Sequence, residues 1–301
     1  MPSTQRRLVV AINPAASFGR HLSVGPEVAR RLAAEGYDVS IAREANWELL
    51  EREVRHAVSL GTDGLVVVGG DGMATLGVNA LVGTDIPLGI VAAGTGNDFA
   101  RALGLPFEDP MAGLDHLLGA LERDAVPVDT ALVRHGDQEI SYGCVLSAGF
   151  DARVNERANR MRRPRGASRY TIALVRELAT FRPRRYRLTI DDGEPRELGA
   201  MLISVANGTS IGGGMRIVPQ ASLDDGLLDV FVVHPISKLE LLRVFPKVFA
   251  GTHIDHPAVE FVQAKRVRLE SEDAVAYADG ERIGALPVEV EVRPASLRVF
   301  R

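Results

Sequence analysis

The residues best placed to do chemistry in this chain are Asp71 and Asp98, each inside a glycine-rich turn that directly follows an apolar run. Leu65-Val66-Val67-Val68 leads into Gly69-Gly70-Asp71-Gly72-Met73, and Leu88 to Ala93 leads into Gly94-Thr95-Gly96-Asn97-Asp98-Phe99-Ala100. That order reads strand, turn, helix, twice over. Glycine lets the backbone approach a ligand, a helix start offers unpaired N–H groups to an anion, and a carboxylate can hold a metal. The plainer reading of either turn alone is a tight bend with a capping aspartate. Two such turns, with Gly69 and Gly94 25 residues apart, favour a phosphate cradle that flanks one ligand. Asp129, closing Val126-Pro127-Val128-Asp129, either completes an acidic metal site with them or is a strand-end residue.

Further along, Tyr277-Ala278-Asp279-Gly280-Glu281 has the Asp-Gly pair of a hairpin turn. It also places Glu281 where a carboxylate could accept the proton of a substrate hydroxyl, a task that requires reach first and a tuned pKa second. Val218 to Leu227 sets Asp224 and Asp225 beside Gly226, which suits either a loop for a hard metal ion or a solvated turn.

Lysine occurs only at positions 238, 247 and 265, so any cation needed earlier in the chain is arginine. This excludes the Walker-type phosphate loop and the protein-kinase strand lysine. The charge of a polyphosphate must then be met by Mg²⁺, by backbone N–H groups and by Arg20 in the loop after the first strand. Only one glycine follows that strand before Arg20, so the dinucleotide fingerprint is missing as well. Residues 1–130 carry 10 arginines against 17 acids, a net of −7, while the remainder is at +3. Between Arg153 and Arg187, 12 arginines face only Glu156 and Glu177. That stretch reads either as a solvated helix or as a surface for anionic headgroups; with Tyr170 as its one aromatic before Phe181 it offers little for base stacking, and no nucleic-acid partner is expected. The single cysteine, Cys144, excludes disulfides within the chain. The N-terminal seven residues run straight into an apolar strand, and no apolar stretch approaches a membrane span, so the expected location is cytoplasmic.

These residues need a scaffold to hold them. From Leu8 to about residue 130, short apolar runs alternate with amphipathic segments, which predicts a parallel sheet covered on both faces, with ligands beyond the carboxyl ends of its strands. After residue 130 the texture becomes that of antiparallel sheet, interrupted by helical stretches at 154–181 and 237–249. In the second stretch Leu239, Leu242, Phe245 and Phe249 recur at helical spacing; core packing is the ordinary reason for such a pattern, a membrane foot the rarer one.

Taken in order, the GGDGM turn, Pro87 to Pro106 (PLGIVAAGTGNDFARALGLP), Ser147 to Ala152 (SAGFDA), DDGLLDV and the final ADGE of Ala278 to Glu281 resemble the bacterial lipid kinases with a diacylglycerol kinase catalytic domain, relatives of the sphingosine kinases. The resemblance spans nearly the whole chain. It implies an α/β N-terminal nucleotide-binding domain, 1–130, with a parallel sheet of the NAD kinase and phosphofructokinase kind. It also implies a mostly antiparallel β-sandwich, 131–290, for the lipid substrate, with residues 291–301 returning to the first domain. The implied activity is ATP- and Mg-dependent phosphorylation of a lipid hydroxyl, foremost diacylglycerol to phosphatidic acid in phospholipid biosynthesis, at a membrane surface in peripheral contact; a homodimer is left open. Carried over residue by residue, Asn13, Gly70, Asp71, Gly72, Met73, Thr95 and Asn97 would contact ATP. Asp71, Asp98 and Asp129 would form the network around catalytic Mg²⁺. Ser222, Asp225 and Leu227 would hold a structural Mg²⁺, and Asp71 and Glu281 would be catalytic, the latter as general base. Met73 stands where the family usually has threonine, and Ala74-Thr75-Leu76 replaces the following residues of its pattern. An NAD kinase-like small-molecule kinase and a catalytically inactive nucleotide-sensing module are the alternatives.

Overall fold

Strands with no polar face must be covered on both sides, and the chain's first half supplies that cover with helices. In the computed structural model the described residues are 5–13, 23–161, 172–173, 176–177 and 182–301, with only the backbone of 158 and 159. Arg20, Arg162, Arg163, Arg165 and Tyr170 therefore lie outside the described residues. The chain divides into two units, one of Met1–Thr130, Gly212–Gly214 and Pro294–Arg301, the other of Ala131–Ile211 and Met215–Arg293.

The first unit alternates β1 (Arg7–Ile12), α1 (Val24–Ala34), β2 (Asp38–Arg43), α2 (Trp47–Ser59), β3 (Gly64–Gly69), α3 (Asp71–Leu81), β4 (Leu88–Ala92), α4 (Asp98–Ala102) and α5 (Pro110–Leu121). All pairings of β1 with β2, β1 with β3 and β3 with β4 are parallel, giving the order β2-β1-β3-β4. Every residue of β3 and β4 is buried. On one face Leu8, Val10, Val66 and Val91 pack against Val28 and Leu32 of α1 and Leu114 and Leu117 of α5. Helix starts follow local chemistry: the Asn46 side chain accepts from Leu49 N–H at 3.0 Å, and Asp109 accepts from Met111 N–H at 2.9 Å with Pro110 in the first helical turn.

The second unit holds β6 (Gln138–Tyr142), β7 (Val145–Gly149), α6 (Phe150–Arg160), β8 (Arg184–Ile190), β9 (Arg196–Ala200), β10 (Leu202–Ala206), β11 (Leu228–Val233), α7 (Lys238–Ala250), β12 (Val259–Ala264), β13 (Arg266–Glu270), β14 (Val275–Ala278) and β15 (Glu281–Ala285). Two longer strands pass between the units: β5 (Val126–His135) at Thr130 and β16 (Val288–Val299) at Pro294. One sheet runs β12-β11-β10-β7-β14-β15, entirely antiparallel, and β13 pairs antiparallel with both β8 and β16 in the other. Leu146, Ile203, Val205 and Val230 of the first share one core with Leu188, Val267, Leu269 and Val290 of the second, which makes this unit a β-sandwich. The alternating strand-helix half and the antiparallel half are as the sequence predicts. Of the expected helix at 154–181, the described residues hold α6, which starts earlier at Phe150, and helical backbone at 172–173 and 176–177. No helix among the described residues is long and apolar enough to cross a membrane.

Candidate active site

β3 and β4 end side by side, so their two glycine turns emerge together at the carboxyl edge of the parallel sheet. Ala93 N–H donates to Gly69 O at 2.8 Å and ties one turn to the other. The approach beyond that point is closer than any side chain allows: a Cβ on Gly94 would overlap Gly70 Cα and stand 2.8 Å from Asn97 Oδ1. Likewise a Cβ on Gly96 would collide with the Asp71 carboxylate. Glycine is required at both positions by contact rather than by backbone angle.

Asp71 opens α3 but serves the other turn. Its Oδ1 accepts from Asp98 N–H at 2.7 Å and its Oδ2 from Asn97 N–H at 3.0 Å. Asp98 repeats the arrangement one step further, with Oδ2 accepting from Gly213 N–H and Oδ1 from Gly214 N–H, both at 2.8 Å. Two carboxylates thus fasten three chain segments through backbone N–H groups. Burial raises the pKa of Asp71, against the opposing pull of its hydrogen bonds from Asp98 and Asn97. Burial also raises that of Asp98; the Gly213 hydrogen bond opposes it and the neighbouring charge of Asp71 adds to it. The guanidinium of Arg101, 3.8 Å from the centre of the Phe107 ring, partly offsets both. A close pair of carboxylates, Asp98 buried and Asp71 partly so, favours a cation beside them. The start of α3 is free of side-chain capping, since its N-cap is Gly70, which leaves backbone N–H character for an anion.

The remaining expected residues separate. Asn97 sits in the left-handed region at φ 57°, its Oδ1 accepting from Gly94 N–H at 3.0 Å and its Nδ2 donating to Phe107 O at 2.9 Å. Its amide is thus engaged by the turn it closes. The Met73 side chain, 3% exposed, packs beneath Gly69, and its N–H donates to Gly70 O at 3.0 Å. A methionine side chain at this position fills space under the turn. Thr95 is exposed at the tip of the second turn, and Asn13 directly follows β1 at the same sheet edge. The expected gathering of three carboxylates is not what the described residues present. Asp129 Oδ1 accepts from Ala295 N–H at 2.7 Å and so anchors the returning end of β16. Among the described residues no three His, Cys, Asp or Glu side chains come together to hold a metal ion; at this sheet edge Asp98 lies in the field of Asp71.

In the second unit the Asp279-Gly280 pair forms the β14–β15 hairpin turn, with φ 46° and 86°. The Asp279 carboxylate accepts from Gly143 N–H at 2.7 Å, Cys144 N–H at 3.1 Å and Val145 N–H at 2.9 Å. The motif thus gives its aspartate to the fold. The side chain of Glu281, the first residue of β15, is exposed and carries no hydrogen bond or ion pair among the described residues, and desolvation by the protein around it raises its pKa. In the 218–229 loop Leu227 N–H donates to Asp225 Oδ1 at 3.0 Å, while the Ser222 hydroxyl donates to Asp224. Asp229 is 3% exposed, and burial, then the Asp225 charge, push it up to about 6. Sequence reasoning assigned Asp229 no role; its spacing of four from Asp225 across a glycine was the available signal.

The arginine-rich stretch is less open than its composition suggests. Arg153 and Arg157 both bind Glu177, at 3.0 and 2.5 Å, a side chain only 2% exposed; Arg160 binds Glu156 and Arg184 binds Asp273.

Residues 7–133 match the diacylglycerol kinase catalytic domain, and residues 144–301 match the YegS C-terminal NAD kinase beta sandwich-like domain. A relative from Mycobacterium tuberculosis named diacylglycerol kinase is 37% identical over 98% of this chain and 95% of its own length. A diacylglycerol kinase from Bacillus subtilis is 28% identical over 94% of this chain and 92% of its own. Among solved structures, a diacylglycerol kinase from Bacillus anthracis superposes with a TM-score of 0.72 at 22% identity, covering 100% of this chain and 98% of that one. An NAD kinase from Archaeoglobus fulgidus in complex with ATP does so with 0.51 at 14%, covering 99% and 94%. These two likenesses describe the fold.

Proposed function

The chain belongs to the family of lipid kinases with a diacylglycerol kinase catalytic domain, and from that membership we propose that it transfers the γ-phosphoryl group of ATP to the free hydroxyl of diacylglycerol, giving phosphatidic acid. The observation that carries the substrate is the Mycobacterium tuberculosis diacylglycerol kinase, which matches this chain from end to end at 37% identity. The paired glycine turns support the nucleotide half of the reading: they present backbone, not side chains, at the edge where α3 begins, as close approach of a phosphate requires.

Asp71 and Asp98 are the residues that would hold Mg²⁺. Each uses one lone pair of each carboxylate oxygen on a backbone N–H, leaving further acceptor capacity on a close pair that favours a cation. When bound, the ion neutralises phosphate charge in a loose, in-line transfer. Asp225, with Asp229 beside it and Leu227 of the same loop, would hold the second, structural ion. Glu281 would take the proton from the substrate hydroxyl, since it is unpaired and its raised pKa makes it a better base than an ordinary surface glutamate. The enzyme would meet its substrate at a membrane surface in peripheral contact.

Incubating the protein with labelled ATP, Mg²⁺ and, side by side, diacylglycerol, ceramide and NAD tests the reading. Label in phosphatidic acid alone is the expected result. Label in NADP, or in no product despite ATP binding, overturns it in favour of a small-molecule kinase or of a nucleotide-sensing module.

A further inference from the structure

Helix α7 is fully formed and yet buries none of its residues. Its ends are well made: the Ser237 hydroxyl accepts from Glu240 N–H at 3.2 Å, and Gly251 closes the last turn in the left-handed region at φ 72°. Leu241 holds the helix to a small core of Phe150, Val154 and Met201. The opposite side carries what a soluble helix ordinarily hides. Leu239 is 58% exposed, Leu242 52% and Phe249 50%, and Ile254 in the turn beyond is 40% exposed. Half of the large exposed hydrophobic residues in the described chain fall within this one stretch.

At about 100° per residue, Phe249, Leu242, Pro246, Leu239 and Ala250 line up in that order as one exposed stripe. Lys238 runs along one border of the stripe, and Arg243 then Lys247 along the other. Two of the three lysines in the whole chain are therefore placed here. The helix's one acid, Glu240, lies outside the stripe and faces His256 at 3.3 Å. Arg243 and Lys247 make no ion pair among the described residues, in contrast to the glutamate-bound arginines of α6.

An apolar stripe bordered on both sides by cations is the pattern of a helix that lies in a membrane interface, with its apolar side chains at the acyl boundary and its basic groups among headgroups. We propose that α7 docks this enzyme on a bilayer of anionic lipid, its axis parallel to the surface. A second copy of the chain fits less well, because a two-fold contact through the stripe would bring the basic borders together. The choice of a membrane over another apolar partner rests on the lipid-kinase reading above.

Sedimentation with vesicles that contain no diacylglycerol tests the surface separately from the reaction. The full chain is compared with Leu239→Ser/Leu242→Ser/Phe249→Ser and with Lys238→Glu/Arg243→Glu/Lys247→Glu, on phosphatidylglycerol and on phosphatidylcholine vesicles, circular dichroism confirming that each variant is folded. The unmodified protein should sediment with phosphatidylglycerol and not with phosphatidylcholine. Both variants should partition at least tenfold more weakly, given roughly fivefold per basic residue at such a surface. Phosphorylation of a dispersed, short-chain diacylglycerol should be unchanged. Vesicle binding by the variants equal to that of the unmodified protein overturns the proposal. So does a change from dimer to monomer in the serine variant without loss of vesicle binding, which would make the stripe a contact between copies. Binding through α7 by a protein that phosphorylates no lipid upholds the surface and overturns the substrate assignment alone.

Discussion

Replacing Gly94 by alanine tests whether contact between the two glycine turns, rather than glycine's flexibility, organises the site. The added Cβ would overlap Gly70 Cα and come within 2.8 Å of Asn97 Oδ1 and 3.1 Å of Gly70 N. Two of these three neighbours are backbone, so no rotamer change relieves the overlap. Overpacking of this kind costs about 1–3 kcal/mol. Separating the turns also threatens the bonds Gly94 N–H to Asn97 Oδ1, 3.0 Å, and Ala93 N–H to Gly69 O, 2.8 Å. At about 0.5–1.5 kcal/mol each, the total is about 2–6 kcal/mol. That is a large part of the stability of an ordinary domain, about 5–15 kcal/mol. Gly119 provides the control: it lies exposed in α5 with nothing near its Cβ position. There alanine should stabilise by about 0.5–1 kcal/mol. Urea unfolding of both variants, followed by calorimetric titration with ATP, reads the contrast. Gly94→Ala should lower the midpoint and weaken nucleotide binding at least tenfold, while Gly119→Ala leaves binding unaltered. If Gly94→Ala keeps the wild-type midpoint and affinity, the turns are not held by their contact.

Asp98→Asn removes one acceptor from the pair serving Gly213 and Gly214 and turns an N–H toward an N–H. The loss of a charge-assisted bond, about 1.5–3 kcal/mol, should appear as faster amide exchange at 213–214, and unchanged exchange would refute that role. Glu281→Gln should lower turnover at least a hundredfold with ATP affinity unaltered; in the wild type, desolvation should place the acid limb of the turnover profile above the usual glutamate range, and retained activity in the variant removes Glu281 from the reaction. Asp151, in the first turn of α6, is pushed up to about 6 by burial, against the opposing pull of the Ser147 hydroxyl and the Ala152 N–H. Because the folded-state value is raised, this group favours folding below about pH 4 and loses that contribution as pH rises through about 6, a difference of at most about 3 kcal/mol. Asp151→Asn should accordingly stabilise the protein at pH 7.5 and not at pH 4; equal destabilisation at both would contradict the charge-burial account.

The layout of the first unit was legible because its strands are buried on both faces and so read as unbroken apolar runs, Leu65 to Val68 and Leu88 to Ala93, each ending on glycine. The partners of the carboxylates were not. Asp71 bonds to N–H groups 26 and 27 residues away, Asp98 to N–H groups 115 and 116 away, and Asp129 to one 166 away. Every residue except proline carries an N–H, so a carboxylate bound to backbone leaves no partner type to look for in the sequence. Asp279 misled less, since Asp-Gly announces its hairpin, yet its three N–H donors at 143–145 were equally invisible. Helix α7 shows a different blindness: periodicity of 3.6 reports that apolar groups share a side, not whether that side faces protein, water or lipid.

The carboxylate pair would also couple a bound metal to the fold. A carboxylate that accepts two backbone N–H bonds is held in one orientation, so Asp71 and Asp98 are positioned before any ion arrives. That ordering has a cost, because burial and mutual repulsion both disfavour two ionised groups there. A divalent cation relieves the same repulsion, so its binding should stabilise the turns and the 213–214 loop together. An ion bound there would strengthen the bonds that place the loop, because it would keep both carboxylates ionised. A site built this way would link metal binding to loop order without any ligand from the loop itself.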